Sequence, residues 1–370
     1  MLFGYPIDAV TKNNWLHECF CLFMEAIHHN LSLGSEVTDW FGIIPVAYHK
    51  RLESRLKHKS GLGYKLNEYQ KSLKKLSQIE QDLVLKTFKD QNEIELLLSC
   101  QCDCDSIKDL PQNIQNIISE SLKDLFAYAF NLLTDLEIRD QYYQIIYKSI
   151  PYRVCPFCGY EKLNSPKSSS PKSKREALDH YLLKDQYPFA AANLRNLVPM
   201  GYKCNSQDKH AKNILYKNIN NRTRRKSFDP YKHNVTISLC LNKSIPFAGK
   251  KGRIGGLLPK WEVELIPISE EIETWDDVFN IKDRYVKDYL DAEFKSWLDI
   301  FAKWYQRYKK VQDSDQDLVN AIEIYAIERE DEGFAEQAFL KAAVFRMLHI
   351  HCSQGAHQQR LIDFIRGLFS

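Results

Sequence analysis

At 370 residues, with 44% hydrophobic and 27% charged positions, the chain is long enough to bury a sizeable core and is expected to form two or three structural units. No apolar run approaches the roughly 18 residues a membrane helix needs, and MLFGYPIDAVTKNNW lacks the basic and continuous apolar regions of a secretory signal, so a soluble cytoplasmic protein without a membrane partner is expected. The net charge of +3 conceals an asymmetry: residues 201 to 260 hold fourteen Lys or Arg against two Asp, a local excess of about +12 that suggests a polyanion partner.

The first 150 residues read as helical. In residues 11 to 32, TKNNWLHECFCLFMEAIHHNLS, the residues Trp15, Cys19, Phe20, Phe23, Met24 and Ile27 share one helical face, and residues 65 to 99 and 107 to 149 read as longer helices. These stripes carry no chemistry and are expected to be core. SIPYRVCPFCGY, with two prolines and a glycine, ends that pattern. Residues 164 to 174, NSPKSSSPKSK, have the composition of a mobile loop. Further on, VTISLCL (235 to 241) and KWEVELIPI (260 to 268) alternate with period two, as half-buried strands do. From ETWDDVF at 273 the chain is again helical and acidic. Ten cysteines without a dense framework fit a reducing compartment.

Chemistry is concentrated between residues 155 and 216. CPFC sets Cys155 and Cys158 at zinc-knuckle spacing, LDHYLLKDQYP sets Asp179 beside His180 in a short strand, and NLRNLVPMGYKCNSQDKHAKNIL carries Asn196, Cys204 and Asn205, the last at the start of a helix. Neighbouring strand residues point to opposite faces, so at a strand end one can ligate a metal while the other reaches substrate from another direction. An imidazole near its usual pKa of about 6.5 suits a general base at neutral pH. Asp179 and Asn205 offer hard oxygens that suit Mg2+ or Mn2+. Taken singly, His180 reads as an ordinary strand histidine and Asn205 as a helix N-cap; the ordered set favours the joint reading.

That order and spacing resemble the HNH (ββα-metal) endonuclease family over residues 155 to 216. The resemblance implies an α+β fold class: a helical domain at 1–150, a treble-clef-like ββα-metal nuclease core with its knuckle and basic segment at 151–234, a short β-strand segment at 235–270 and a C-terminal helical region at 271–370. It implies metal-dependent hydrolysis of DNA phosphodiesters, with His180 as general base and one divalent ion on Asp179 and Asn205. Asn196 would fix the loop between the two strands so that a backbone carbonyl orients the His180 ring. Stand-alone HNH proteins with the DHYL-x-K-x-x-YP and NLVP signatures are similar to bacterial anti-phage effectors, including the nuclease paired with an ATPase in Septu-type systems, so an ATPase or sensor partner that gates activity is expected. Two other readings stay open: a non-catalytic zinc-knuckle module that binds nucleic acid or protein, and a nuclease acting on RNA.

Knuckled members of that family close a structural Zn2+ with two CxxC pairs. Here Gly201 stands where the fourth cysteine would be, leaving Cys155, Cys158 and Cys204. Three completions are open: His210 as a Cys3His ligand, Cys240 from the following strand, or no bound metal with the thiols buried as small apolar groups. The CQCDC cluster at 100 to 104 lacks knuckle spacing. Expected nucleic-acid contacts are Lys203, Lys209 and Lys212 around the helix start and Arg222, Arg224, Arg225 and Lys226 in NNRTRRK; the alternative is a solvated basic face.

Overall fold

The computed structural model describes residues 1–166, 175–218, 220–232, 235–249, 258–308 and 313–368. Most of the expected mobile loop, 167–174, lies outside the described residues. The fold mixes many helices with small sheets, in keeping with α+β; among the described residues three two-stranded antiparallel sheets form. No helix among them is long and apolar enough to cross a membrane. Two compact units form, one from residues 4–153 with 163–234, the other from 1–3, 154–162 and 235–370.

In the first unit the helix Trp15–Ser32 buries all six residues of its expected stripe. Gln78–Asn92 starts at a capping box, Ser77 and Glu80 each satisfying the other's free backbone amide. The long helix Gln112–Asp135 buries Ile114, Ile118, Leu122, Leu125, Phe126, Ala129 and the Leu132–Leu133 pair, a three- and four-residue rhythm that makes one continuous apolar face. Phe126 packs edge to face on Phe189, with centroids 5.2 Å apart, and Phe88 does the same at 5.5 Å. Through these rings the helices hold the loop that precedes the second strand of the site.

That contact corrects the expected boundary at residue 150. Tyr142, on the helix Ile138–Ser149, lies 2.8 Å from the Leu197 carbonyl oxygen and donates to it. A helical domain separable from the strand pair would have to leave these buried polar groups and the phenylalanine cluster unpaired, so the two fold as one core. Strand β1 (Leu178–His180) pairs antiparallel with β2 (Leu197–Pro199), setting Asp179 opposite Val198 and His180 opposite Leu197. A helical segment, Lys203–Lys209, follows, and β3 (Tyr216–Asn218) then pairs with β4 (Thr223–Arg224).

The second unit contains the CPFC turn, closed by a bridge between Val154 and Lys162. Gly159 sits there at φ +77°, and a Cβ on it would come within 2.4 Å of Leu2 Cδ1, so only glycine fits. Trp275 Nε1–H donates to the Phe157 carbonyl at 2.9 Å and Tyr285 Oη–H to that of Cys158 at 3.1 Å, so C-terminal side chains hold the turn. The two expected strands pair as β5 (Ser238–Cys240) and β6 (Glu264–Ile266). Helices Asp315–Asp331 and Ala338–Gln354 pack around Tyr325, whose ring meets Phe345 at 4.6 Å and Phe301 at 5.2 Å.

Candidate active site

Between β1 and β2 the chain makes a sixteen-residue excursion, and Asn196 closes it. Its side chain is fully buried; Oδ1 accepts from the Leu182 amide at 2.6 Å, while Nδ2 lies 3.1 Å from the Leu182 carbonyl and 3.2 Å from that of Ala190. A carboxamide carries an acceptor oxygen and, on a separate atom, an NH2 with two protons, which matches one accepted and two donated contacts here. The neighbouring Ala191 carbonyl lies 3.0 Å from His180 Nε2. Because a carbonyl only accepts, Nε2 carries the proton and Nδ1 is the free basic nitrogen of the neutral ring. The ring also rests on Phe130, with centroids 4.6 Å apart.

Burial pushes the His180 pKa down from 6.5 to about 3, and the positive charges of Lys184, Lys209 and Arg139 add to the depression. This departs from the unperturbed imidazole expected: at neutral pH the ring is wholly in its base form, but it is a weaker base than a free histidine. A bound phosphate anion would oppose the depression.

Asp179 is nearly buried, with 11% of its side chain exposed, and Oδ2 is 2.7 Å from Lys209 Nζ. Lys209 has no exposure at all and also donates to the His180 carbonyl oxygen at 2.9 Å. The expectation that Lys209 touches nucleic acid is therefore corrected: its ammonium is the counter-ion of Asp179. Burial pushes the Asp179 pKa up, against the pull of Lys209 and the His180 amide. Asn205 is half-buried within the segment Lys203–Lys209, where its carbonyl accepts from the His210 amide at 2.9 Å. It stands inside the helical segment, so the N-cap reading is corrected. Its spacing of four from Lys209, in a wide-turned helix, puts both residues on one side. Asp179 Oδ1 and the Asn205 carboxamide are hard oxygens of the kind a divalent ion takes, and two such ligands would leave several positions to water.

Cys155, Cys158 and Cys204 are fully buried, and their sulfurs lie within 4.8 Å of one another, a soft donor set suited to a metal such as zinc. Neither expected fourth ligand belongs to this group. His210 is exposed, at φ +39° just past the helical segment, and Cys240 is half-buried on β5.

The arginines of NNRTRRK also need correction. Arg222 pairs with Asp103 at 2.8 Å, Asp105 at 3.0 Å and Asp109 at 3.4 Å. Arg224 reaches the carbonyl of Cys102 at 3.2 Å and covers the Tyr216 ring, and buried Arg225 donates to the Asn213 carbonyl. These groups hold the 97–109 segment onto the loop around β3 and β4, so most of their charge is neutralised inside the unit. Lys203 and Lys226 are exposed and Lys212 is half-buried.

Three features escaped the sequence. Asn14, Asn92 and Asn193 link to one another at 3.0 and 3.1 Å, and Asn14 Oδ1 accepts from the Leu194 amide at 2.9 Å, tying two helices to the excursion. Arg195 pairs with Asp229 and Glu95. Beside His180 opens a cleft of about 680 Å3, lined in part by Lys108, Lys123, Phe130, Lys184 and Ala191. Lys184 lies within LDHYLLKDQYP and could have been found there; nothing marks Lys123 among other helix-surface lysines. No family model, curated protein or solved structure matches the chain.

Proposed function

We propose that the chain is a metal-dependent endonuclease of the HNH type that hydrolyses DNA phosphodiester bonds. The observation that carries this reading is the preset His180 ring: Nε2–H is fixed by the Ala191 carbonyl, that carbonyl's loop is fixed by Asn196, and the basic Nδ1 is left for a proton. In the reaction Nδ1 takes a proton from water, the water oxygen attacks phosphorus, the phosphorus–oxygen bond to the leaving group breaks, the departing alkoxide takes a proton from solvent, and His180 returns its own proton to solvent. Asp179 Oδ1 and Asn205 would hold Mg2+ or Mn2+, which neutralises charge on the phosphate. Asn196 and Ala191 position the ring and do not touch substrate. Cys155, Cys158 and Cys204 would hold a structural Zn2+, closed by water or by a group other than His210.

The excess basic charge suits nucleic acid, and neither sugar is distinguished by it. We further read the protein as an anti-phage effector held silent until an ATPase or sensor partner engages it. The test is purified protein with supercoiled plasmid and Mg2+ or Mn2+. Nicking that disappears with EDTA and with His180→Ala supports the reading, and nicking retained at full rate in His180→Ala refutes it. One observation favours a second reading, a non-catalytic binding module: the fully buried Lys209 ammonium lies 2.7 Å from Asp179 Oδ2, where it already balances the carboxylate's charge. Nucleic-acid binding unaffected by His180→Ala, with no cleavage under any metal or partner, would select it.

A further inference from the structure

We propose that the cleft beside His180 seats a single strand of nucleic acid flanking the phosphate to be cut, with its phosphates on Lys108, Lys123 and Lys184. This rests on the nuclease reading for its purpose but not for its evidence. All three lysines are exposed on the rim, and none of their ammonium groups has a carboxylate within 4.0 Å among the described residues. That is unlike Arg222 of NNRTRRK, which is paired with Asp103, Asp105 and Asp109. Asp185 is the one carboxylate on the cleft lining, so the lining carries a net charge of +2.

Beneath the lysines the floor is apolar, built from Phe126, Phe130 and Pro188. Ammonium groups above an apolar floor match the two parts of a nucleotide chain, anionic phosphates and unstacked base faces. A concavity of about 680 Å3 is of ligand-pocket size and suits a short stretch of one strand. The register follows from contact: Phe130 lines the cleft and touches the His180 ring, and Ala191 lines it and accepts from that ring. A strand in the cleft therefore passes beside the His180 ring, along its Phe130 and Ala191 contacts. The helix Gln112–Asp135, which supplies Lys123, Phe126 and Phe130, becomes a wall of the substrate site as well as core.

The test uses the full chain in EDTA, so that binding is read without cleavage. Anisotropy of a labelled twelve-nucleotide thymidine strand is followed between 50 and 300 mM salt. Lys108→Gln/Lys123→Gln/Lys184→Gln should lower the salt slope by about 2, from roughly 0.7 per lost phosphate contact, and weaken binding at least tenfold at 100 mM salt. Lys50→Gln/Lys59→Gln/Lys89→Gln, the same charge change on exposed lysines elsewhere, should leave the slope within about 0.5 of wild type, less than one contact. Equal slopes and affinities for the two triple variants, with unchanged melting curves, would overturn the proposal, as would a wild type that does not bind the strand. Loss of strand binding in a protein that cuts nothing even with its co-purified partners refutes the nuclease reading and keeps the cleft. Cleavage by a protein whose cleft variant binds like the control does the reverse.

Discussion

At His180 the ring is held between the Ala191 carbonyl and Phe130, and Lys184, Lys209 and Arg139 raise the cost of protonating it. A histidine whose pKa is about 3 stays unprotonated as pH falls through 6.5, so if His180 is the base of the proposed cleavage it should not be lost there. We expect kcat/KM to stay within about threefold between pH 7.5 and 5.5 while circular dichroism shows the protein folded. An ordinary imidazole would lose about tenfold over that range, and such a loss would contradict the buried geometry. Lys209 makes a second claim at this scale. Truncating one partner of a buried ion pair strands the other charge, so Lys209→Met should cost about 3–5 kcal/mol in urea unfolding. Adding Asp179→Asn should recover more than half of that. A single variant as stable as wild type would return Lys209 to the surface role its position in a basic stretch suggested.

Among the elements, the β1–β2 excursion and the helix Trp15–Ser32 carry separate consequences. Asn196→Ala leaves the Leu182 amide and carbonyl without their side-chain partner and the Ala190 carbonyl with only the Asn193 amide, at a cost of about 2–3 kcal/mol. It should lower kcat well beyond its effect on KM, because the His180 ring loses the loop that orients it; equal loss in both parameters would argue for a merely structural role. On the helix, burial lowers His17 and His28 to about 4 each. Their unfolded forms bind protons near 6.5, so the unfolded state takes up more protons as pH falls. Stability is complete above about 6.5 and is lost toward pH 4, by about 1.4 kcal/mol per pH unit for each ring. Neither nitrogen of His28 has a hydrogen-bond partner. His28→Leu should therefore stabilise the protein by about 1 kcal/mol at pH 7 and reduce that slope, measured by chemical denaturation at pH 7.5 and 5.5. An unchanged slope would mean His28 is not buried neutral.

For the whole molecule, the helix faces and the β5–β6 pair were legible because apolar period states directly which side is covered. The strand pair carrying Asp179 and His180 and its closure by Asn196 were legible, since their order is local to one stretch; their joint catalytic role with Asn205 is the proposal. The fate of the charges was not. Arg222 and its aspartates are more than a hundred residues apart, and sequence does not reveal which basic groups spend their charge internally and which keep it for a ligand. Lys209 and Lys123 look alike in sequence, yet one is fully buried on Asp179 and the other lines an open cleft. The boundary at residue 150 was misplaced for a related reason: aromatic contacts such as Phe126 on Phe189 join segments that look independent in the chain. The most direct test of the account is plasmid cleavage by the full-length protein and by His180→Ala, in Mg2+ and in Mn2+, alone and with co-purified partners. The account predicts nicked product that EDTA abolishes and that His180→Ala reduces by about 10²–10⁴-fold; no product from the wild type in any of these conditions, or equal product from both proteins, would contradict it.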